Sequence, residues 1–328
     1  LRVLLTGVAG FIGFHVAAAL AAQGHEIVGL DNLAQPYRRL KQARLEQLGS
    51  SICFVPADVA DPERFAALVR DAAPDVVIHL AARAGVRDSL TAPFAYAEAN
   101  EIGHLAVLEA MRRHAAEALL IYASSSAVYG VRHDARFQEI DRADEPASLY
   151  AATKRANELA SFAYARLFGL RQIGLRLFTV YGEWGRPDMA FWSFADAALN
   201  GREVALHDGG AAQRDFTDIR DVVAAVTAIA RRPVFPDRKL PHRIYNVCGG
   251  APTSVAELLS MIERACGRRA VTRVTSAPPG DAPFTAGDSS RLRADYGIPT
   301  SADVAGGVER FVAWLRNAPE AMRLAREN

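Results

Sequence analysis

The chain has 328 residues, half of them apolar, with 38 Lys and Arg against 37 Asp and Glu. This balance excludes a general electrostatic grip on nucleic acid or an anionic membrane surface, and no apolar run reaches the roughly 18 residues that a membrane span needs. Cys53, Cys248 and Cys266 are few and far apart, which predicts reduced thiols in a cytoplasmic protein, and the eight histidines form no cluster that would hold a metal.

In chain order, RVLLTG reads as a strand, 11–23 as a helix and HEIVGLD as a strand. The apolar stretch GFIGFHVAAALAAQG follows a strand and not a basic segment, so it does not read as a signal peptide. ICFVPAD and DVVIHLAA are further strands; the helix between them has Asp61 as its expected N-cap and Pro62 at its first position. A long helix over about 93–114 leads to the strand ALLIYASSS, and another over about 149–168 leads to RQIGLRLF. Continuous apolar strands separated by helices predict an α/β fold, a doubly wound parallel sheet whose ligands bind at the carboxyl ends of the strands.

After Phe178 the rhythm changes. TVYGEWGRPDM is rich in Gly and aromatics, ALHDGGAAQRDFTD reads as strand, turn and strand, and IYNVCGG as a core strand followed by a helix over about 254–266. The expected organisation is a nucleotide-binding domain over 1–178, rejoined by segments near 215–248. A smaller, interwoven C-terminal substrate lobe lies mainly in 179–328.

TGVAGFIG places Gly7, Gly10 and Gly13 at a strand-to-helix junction, where they permit a tight turn, close approach to a pyrophosphate and close helix packing. Phe11 and Ile12 then open a helix whose free N–H groups face the anion. Asp31 ends the second strand, where a carboxylate accepts from the ribose hydroxyls of NAD and repels a 2′-phosphate; Arg38 and Arg39, which would suit NADP, lie further on. Asn32 follows it. Asp58 is placed to reach adenine or to cap a helix, with Val59 beside it, and Leu80, Ala81 and Ala82 bring small residues to the nicotinamide side.

Only three lysines occur in the chain, at 41, 154 and 239. Lys154 stands four residues after Tyr150, on the same helix face. An unperturbed phenol is a poor base at neutral pH, and a neighbouring ammonium favours its ionised form while keeping donors for ribose hydroxyls. ASSSAVYG brings Ser124, Ser125 and Ser126 to the same rim, where a hydroxyl can orient a substrate alcohol for proton transfer. GRPDM offers Arg186, whose fork suits a substrate carboxylate, with Thr179 opposite.

TGVAGFIG, LAARAGVR, YASSSAVYG and YAATK, in this order over nearly the whole chain, resemble the extended short-chain dehydrogenase/reductase family. DNL, AGVRDSL, RLFTVYGEWGRPDMA and QRDFTDIRDVV are more narrowly similar to the UDP-glucuronate 4-epimerases. The resemblance implies a Rossmann-type fold with bound NAD, and a catalytic set of Ser125, Tyr150 and Lys154, with Ser124 and Ser126 in support. Asn100 joins the expected cofactor residues. The implied reaction is C4 epimerisation of UDP-glucuronate to UDP-galacturonate through a 4-keto intermediate that rotates before hydride returns. It also implies a homodimer through the helices near 93–114 and 149–168. The chain departs from relatives in three places. Ser126 and Ala127 replace the Asp-Glu pair of 4,6-dehydratases, Thr179 replaces an Asn of UDP-glucose 4-epimerases, and PPGDAP has Pro where RPGD carries a phosphate-binding Arg. That leaves Arg214 as the candidate for the diphosphate and Arg87 as a second. A UDP-glucuronate decarboxylase, a UDP-glucose 4-epimerase and a non-catalytic NAD-sensing module stay open as alternatives.

Overall fold

Aliphatic runs closed by Gly, Asp or Ser make the strands, and Ala-rich amphipathic runs between them make the helices. The computed structural model describes residues 1–132, 136–237, 239–278, 280–318, 320, 321 and 324. The first half alternates β1 (Arg2–Thr6), α1 (Phe11–Ala22), β2 (Glu26–Asp31), α2 (Arg38–Leu48), β3 (Cys53–Pro56), α3 (Pro62–Ala72) and β4 (Val76–His79). It continues through α4 (Val86–Thr91), α5 (Pro93–Tyr96), a π-helical segment over Ala97–Ile102, α6 (Gly103–His114), β5 (Leu119–Ser125), α7 (Leu149–Phe168) and β6 (Arg171–Leu177). Then come β7 (Thr179–Tyr181), α8 (Ala190–Asn200), β8 (Glu203–His207), β9 (Gln213–Asp218), α9 (Ile219–Arg231) and β10 (His242–Val247). The chain closes with β11 (Pro252–Ser254), α10 (Val255–Cys266), β12 (Val271–Thr275), α11 (Ser290–Tyr296) and α12 (Val304–Asn317).

Seven strands form one parallel sheet in the order β10-β6-β5-β4-β1-β2-β3. The order reverses between β1 and β4, which makes the crevice at their carboxyl ends the natural ligand site. Strand alternation divides the core: Leu5, Val16 and Val226 pack on one face, Leu4, Phe65 and Met111 on the other. A third cluster around Trp192, Phe194, Leu258 and Phe311 holds α8, α10 and α12 together. The strands flanking the turn at 208–210 do not pair with each other. β8 runs parallel to β12, whereas β9 lies between β11 and β7. β10, although late in sequence, extends the large sheet beside β6.

Local signals explain the boundaries. Asp61 Oδ1 accepts the Arg64 N–H at 3.1 Å, and Pro62 opens α3. Ser148 caps α7 through Ala151 N–H, and Gly169 ends it in the left-handed region at φ +69°. The single helix predicted over 93–114 is instead interrupted by the π segment, which contains Asn100. Such insertions re-aim side chains, and they recur at functional sites.

Candidate active site

The first βα turn is built for close approach. A Cβ at Gly7 would lie 2.7 Å from Ala81 N, and one at Gly13 would overlap the Gly7 carbonyl. Gly10 begins α1 without a side-chain cap, so no side chain there competes with an anion for the first amides of the helix. The turn is pinned to its neighbours: Gly7 N–H donates to Leu30 O at 2.8 Å, Leu80 N–H to Thr6 O at 3.2 Å, and Ala81 N–H to Thr6 Oγ1 at 3.1 Å. Ala82 continues this segment at the surface. Asp31, buried at the end of β2, accepts the Leu33 N–H at 2.8 Å. Asn32 donates to Asp58 Oδ2 at 2.7 Å, and Asp58 Oδ1 accepts the Ala60 N–H, so Asp58 shapes this loop while Asp61 caps the helix. Val59 is buried beneath Gly103, where a Cβ would approach its methyl at 2.8 Å, and is therefore a packing residue at this point of the fold. Arg38 and Arg39 are exposed at the start of α2.

Tyr150, Lys154 and Ser125 meet at the carboxyl end of β5. Burial raises the Tyr150 pKa, against which a hydrogen bond with Ser125 and the charge of Arg186 act to lower it. Ser125 Oγ also accepts the Ala127 N–H at 3.1 Å, which fixes the hydroxyl at the strand end. Tyr96 packs edge-on against Tyr150 with centroids 6.2 Å apart and anchors itself on Gly85 O at 2.8 Å. Lys154 is 3% exposed; its Nζ donates to Ala123 O at 3.0 Å, and burial lowers its pKa to about 8. The Arg186 charge acts on the phenol in this structure, while Lys154 Nζ is turned to a strand carbonyl and keeps two donors.

Two expected contacts go elsewhere. Ser124 is 2% exposed and donates to Glu158 Oε1 at 2.7 Å, so it faces the helix layer and not the rim. Asn100 spends its amide on Arg83: its Oδ1 accepts the Arg83 N–H at 2.8 Å, and its Nδ2 donates to Arg83 O and Thr153 Oγ1 at 3.0 Å each. It orders the segment after β4. Ser126 is half-buried at the start of a short 3-10 turn.

Thr179 and Arg186 line one cavity with Gly182, Gly185, Met189 and Phe191. The Arg186 fork holds Asp188 through Nε at 3.1 Å and Nη2 at 2.6 Å, with the side chain 29% exposed. Arg214 Nη2 donates to Asp281 at 2.7 Å. Arg87 is exposed on α4, and Pro278, at the place of the RPGD arginine, is half-buried and accepts the Asp281 N–H at 3.3 Å.

Sequence patterns do not single out Arg44. It is buried and donates to the carbonyls of Ala9, Trp184 and Gly185. They also miss the Glu158–Arg176 pair under β5, at 2.8 Å.

A parallel sheet with a glycine turn at its switch point, an acidic residue after β2, and a serine, tyrosine and lysine at the rim define a dinucleotide-dependent enzyme of alcohol–ketone chemistry. The chain belongs to the NAD dependent epimerase/dehydratase family, which residues 3–248 match. A probable UDP-glucuronate 4-epimerase of Rhizobium meliloti is 41% identical over 96% of each chain. UDP-glucuronate 4-epimerase 2 of Arabidopsis thaliana is 37% identical over 95% of this chain and 75% of that one. The structure of UDP-glucuronic acid 4-epimerase from Bacillus cereus, in complex with UDP-glucuronic acid and NAD, matches with a TM-score of 0.87. It is 29% identical, and the match covers 97% of this chain and 99% of that one. The residues fit NAD: the glycines let the turn pack where a Cβ would strike backbone, the N-terminus of α1 has no side-chain cap, and Asp31 ends β2.

Proposed function

We propose that the chain is an NAD-dependent enzyme that epimerises UDP-glucuronate at C4, giving UDP-galacturonate. The observation that carries this reading is the meeting of Ser125, Tyr150 and Lys154 at the rim, with Arg186 acting on the same phenol. NAD, when bound, supplies a reversible hydride acceptor for C4. Gly7, Gly10 and Gly13 with the first amides of α1 would hold its diphosphate, Asp31 its adenosine ribose, and the Lys154 donors left after Ala123 its second ribose.

Ser125 orients the C4 hydroxyl, and Tyr150 takes its proton as the carbinol is oxidised. The 4-keto sugar then rotates, and Tyr150 returns the proton to the oxygen as the opposite face is reduced. No net redox change results. A ketone at C4 stands β to the C6 carboxylate, so the intermediate is prone to lose carbon dioxide. That loss requires the C5–C6 bond to stand across the carbonyl plane. Arg186, with Thr179 in the same cavity, exchanges its bonds to Asp188 for two charge-assisted bonds to the carboxylate and keeps the C5–C6 bond out of alignment. Arg214 serves the diphosphate, its fork now engaged by Asp281. Ser124 is left out of the substrate contacts.

We take 1–178 as the nucleotide domain and 179–328 as mainly the sugar lobe, with β10 returned to the large sheet. A homodimer through α6 and α7 is supported by the apolar side chains they expose, Ile102 just before α6, Leu105, Leu159 and Phe162. No helix among the described residues is long and apolar enough to cross a membrane, and the three cysteines are free, which agrees with a cytoplasmic setting.

The test is incubation with UDP-glucuronate and identification of products by NMR. UDP-galacturonate is expected; a UDP-pentose as the main product would make the protein a decarboxylase, and an inert mixture would refute the assignment.

A further inference from the structure

Arg44 lies in α2 and is 3% exposed. Its Nη1 donates to Ala9 O at 3.0 Å; its Nη2 donates to Trp184 O at 2.6 Å and to Gly185 O at 3.1 Å. Ala9 belongs to the glycine-rich turn, and Trp184 and Gly185 immediately precede Arg186. One guanidinium therefore ties the dinucleotide turn to the loop that carries the fork. Its Nε is buried without a partner, so the cation is held at a cost that a mere fastener need not bear. The gripped loop is itself strained. Trp184 sits at φ +57°, a region bulky residues avoid, with its ring 5.8 Å from Phe14 and 5.6 Å from Trp314.

We propose that Arg44 is the positioning residue that sets substrate choice. By fixing the Trp184 and Gly185 carbonyls against the glycine-rich turn, it directs Arg186 at Tyr150 and at the sugar carboxylate. Uronate recognition is thereby coupled to the dinucleotide site. This rests on the reading of Arg186 as the carboxylate ligand. Arg44 touches neither sugar nor cofactor in this scheme. Without it the backbone before Arg186 is free to relax from its left-handed turn, and the fork loses its aim while the remainder of the pocket stays. Burial, and after it the Arg186 charge, lower the Arg44 pKa, and a sugar carboxylate bound at Arg186 relieves the repulsion between the two guanidiniums.

The experiment compares Arg44→Met, Arg186→Ala and the double variant, each purified with its NAD content measured. The affinities for UDP-glucuronate and UDP-glucose are read by calorimetry, and products by NMR. Arg44→Met should weaken UDP-glucuronate binding about tenfold or more while changing UDP-glucose less than about twofold. It should also release a UDP-4-keto-pentose, at most one for each NAD bound: the C5–C6 bond breaks, carbon dioxide leaves, its electron pair enters the enolate, C5 takes a proton, and the hydride taken from C4 would stay behind as NADH. The double variant should be no worse than Arg186→Ala, because both changes disable one guanidinium. Equal loss for the two sugars, loss of NAD without a change in selectivity, or additive effects in the double variant would overturn the role of Arg44 while leaving Arg186 in place. Unchanged selectivity in Arg186→Ala would instead overturn the carboxylate reading, and this proposal with it. If Arg44→Met does not fold, Arg44→Lys decides. A lysine cannot span carbonyls on both loops, so an intermediate shift in the affinity ratio is expected, and a wild-type ratio refutes the proposal.

Discussion

Replacing Glu158 by glutamine perturbs the buried ion pair beneath the catalytic strand. The side chains of Glu158 and Arg176 are 1% and 3% exposed, and they meet through two parallel bonds of 2.8 Å. Glu158 also accepts from Ser124 at 2.7 Å and from Arg155 at 2.9 Å, so one carboxylate gathers β5, β6 and α7. Burial alone would lower the Arg176 pKa, but the Glu158 carboxylate more than offsets it and holds the guanidinium charged. Removing one partner of such a pair leaves a desolvated charge and costs about 3–5 kcal/mol. Glutamine keeps the shape and one acceptor, so the lower figure of about 3 kcal/mol applies, with a fall in Tm of roughly 4 °C for a chain of this size. The assay is equilibrium urea unfolding of the NAD-loaded protein. Glu158→Leu combined with Arg176→Met should recover part of the loss, since an apolar pair carries no unpaired charge. A loss below about 1 kcal/mol for Glu158→Gln would show that the pair contributes little, and the account of the β5 support would be wrong.

Tyr150→Phe should retain NAD and substrate but lose turnover by about 10² or more, the range for a positioned acid–base group; near-normal kcat would remove Tyr150 from the mechanism. Burial, with the Lys154 charge, lowers the His104 pKa to about 3. The unfolded chain therefore takes up a proton that the folded chain refuses, and stability present above pH 6.5 is lost as pH falls. From pH 6.5 to 5 this amounts to about 2 kcal/mol; burial lowers His79, His242 and His15 as well, so His104→Gln should reduce the slope of the urea midpoint without abolishing it, and an unaltered slope refutes it. Phe162→Glu should convert a dimer to single chains in sedimentation, whereas a monomeric parent protein excludes the α6–α7 interface. Lys154→Arg should be nearly inactive despite keeping the charge, and wild-type kcat/KM would sink the case for an ammonium at that position.

The extent of α7 was legible because its two ends carry their own signals, Ser148 and Gly169, and the glycine turn because its spacing has one steric cause. The serine cluster was only half legible. Strand alternation sends Ser124 to the side of Leu120 and Tyr122, under the helix layer, and leaves Ser125 at the rim; counting by two from the apolar run separates them. Arg44 left no pattern, since its partners are backbone carbonyls 35, 140 and 141 residues away, and a carbonyl has no residue type. The same geometry explains why an arginine-rich chain keeps a lysine at 154. Arg44 faces carbonyls on two loops and Arg176 the two oxygens of one carboxylate, and a planar fork satisfies either set together. Lys154 meets one strand carbonyl, and an ammonium has three donors. Two remain for the hydroxyls of a ribose, and a guanidinium filling that buried space would displace either the carbonyl bond or the sugar.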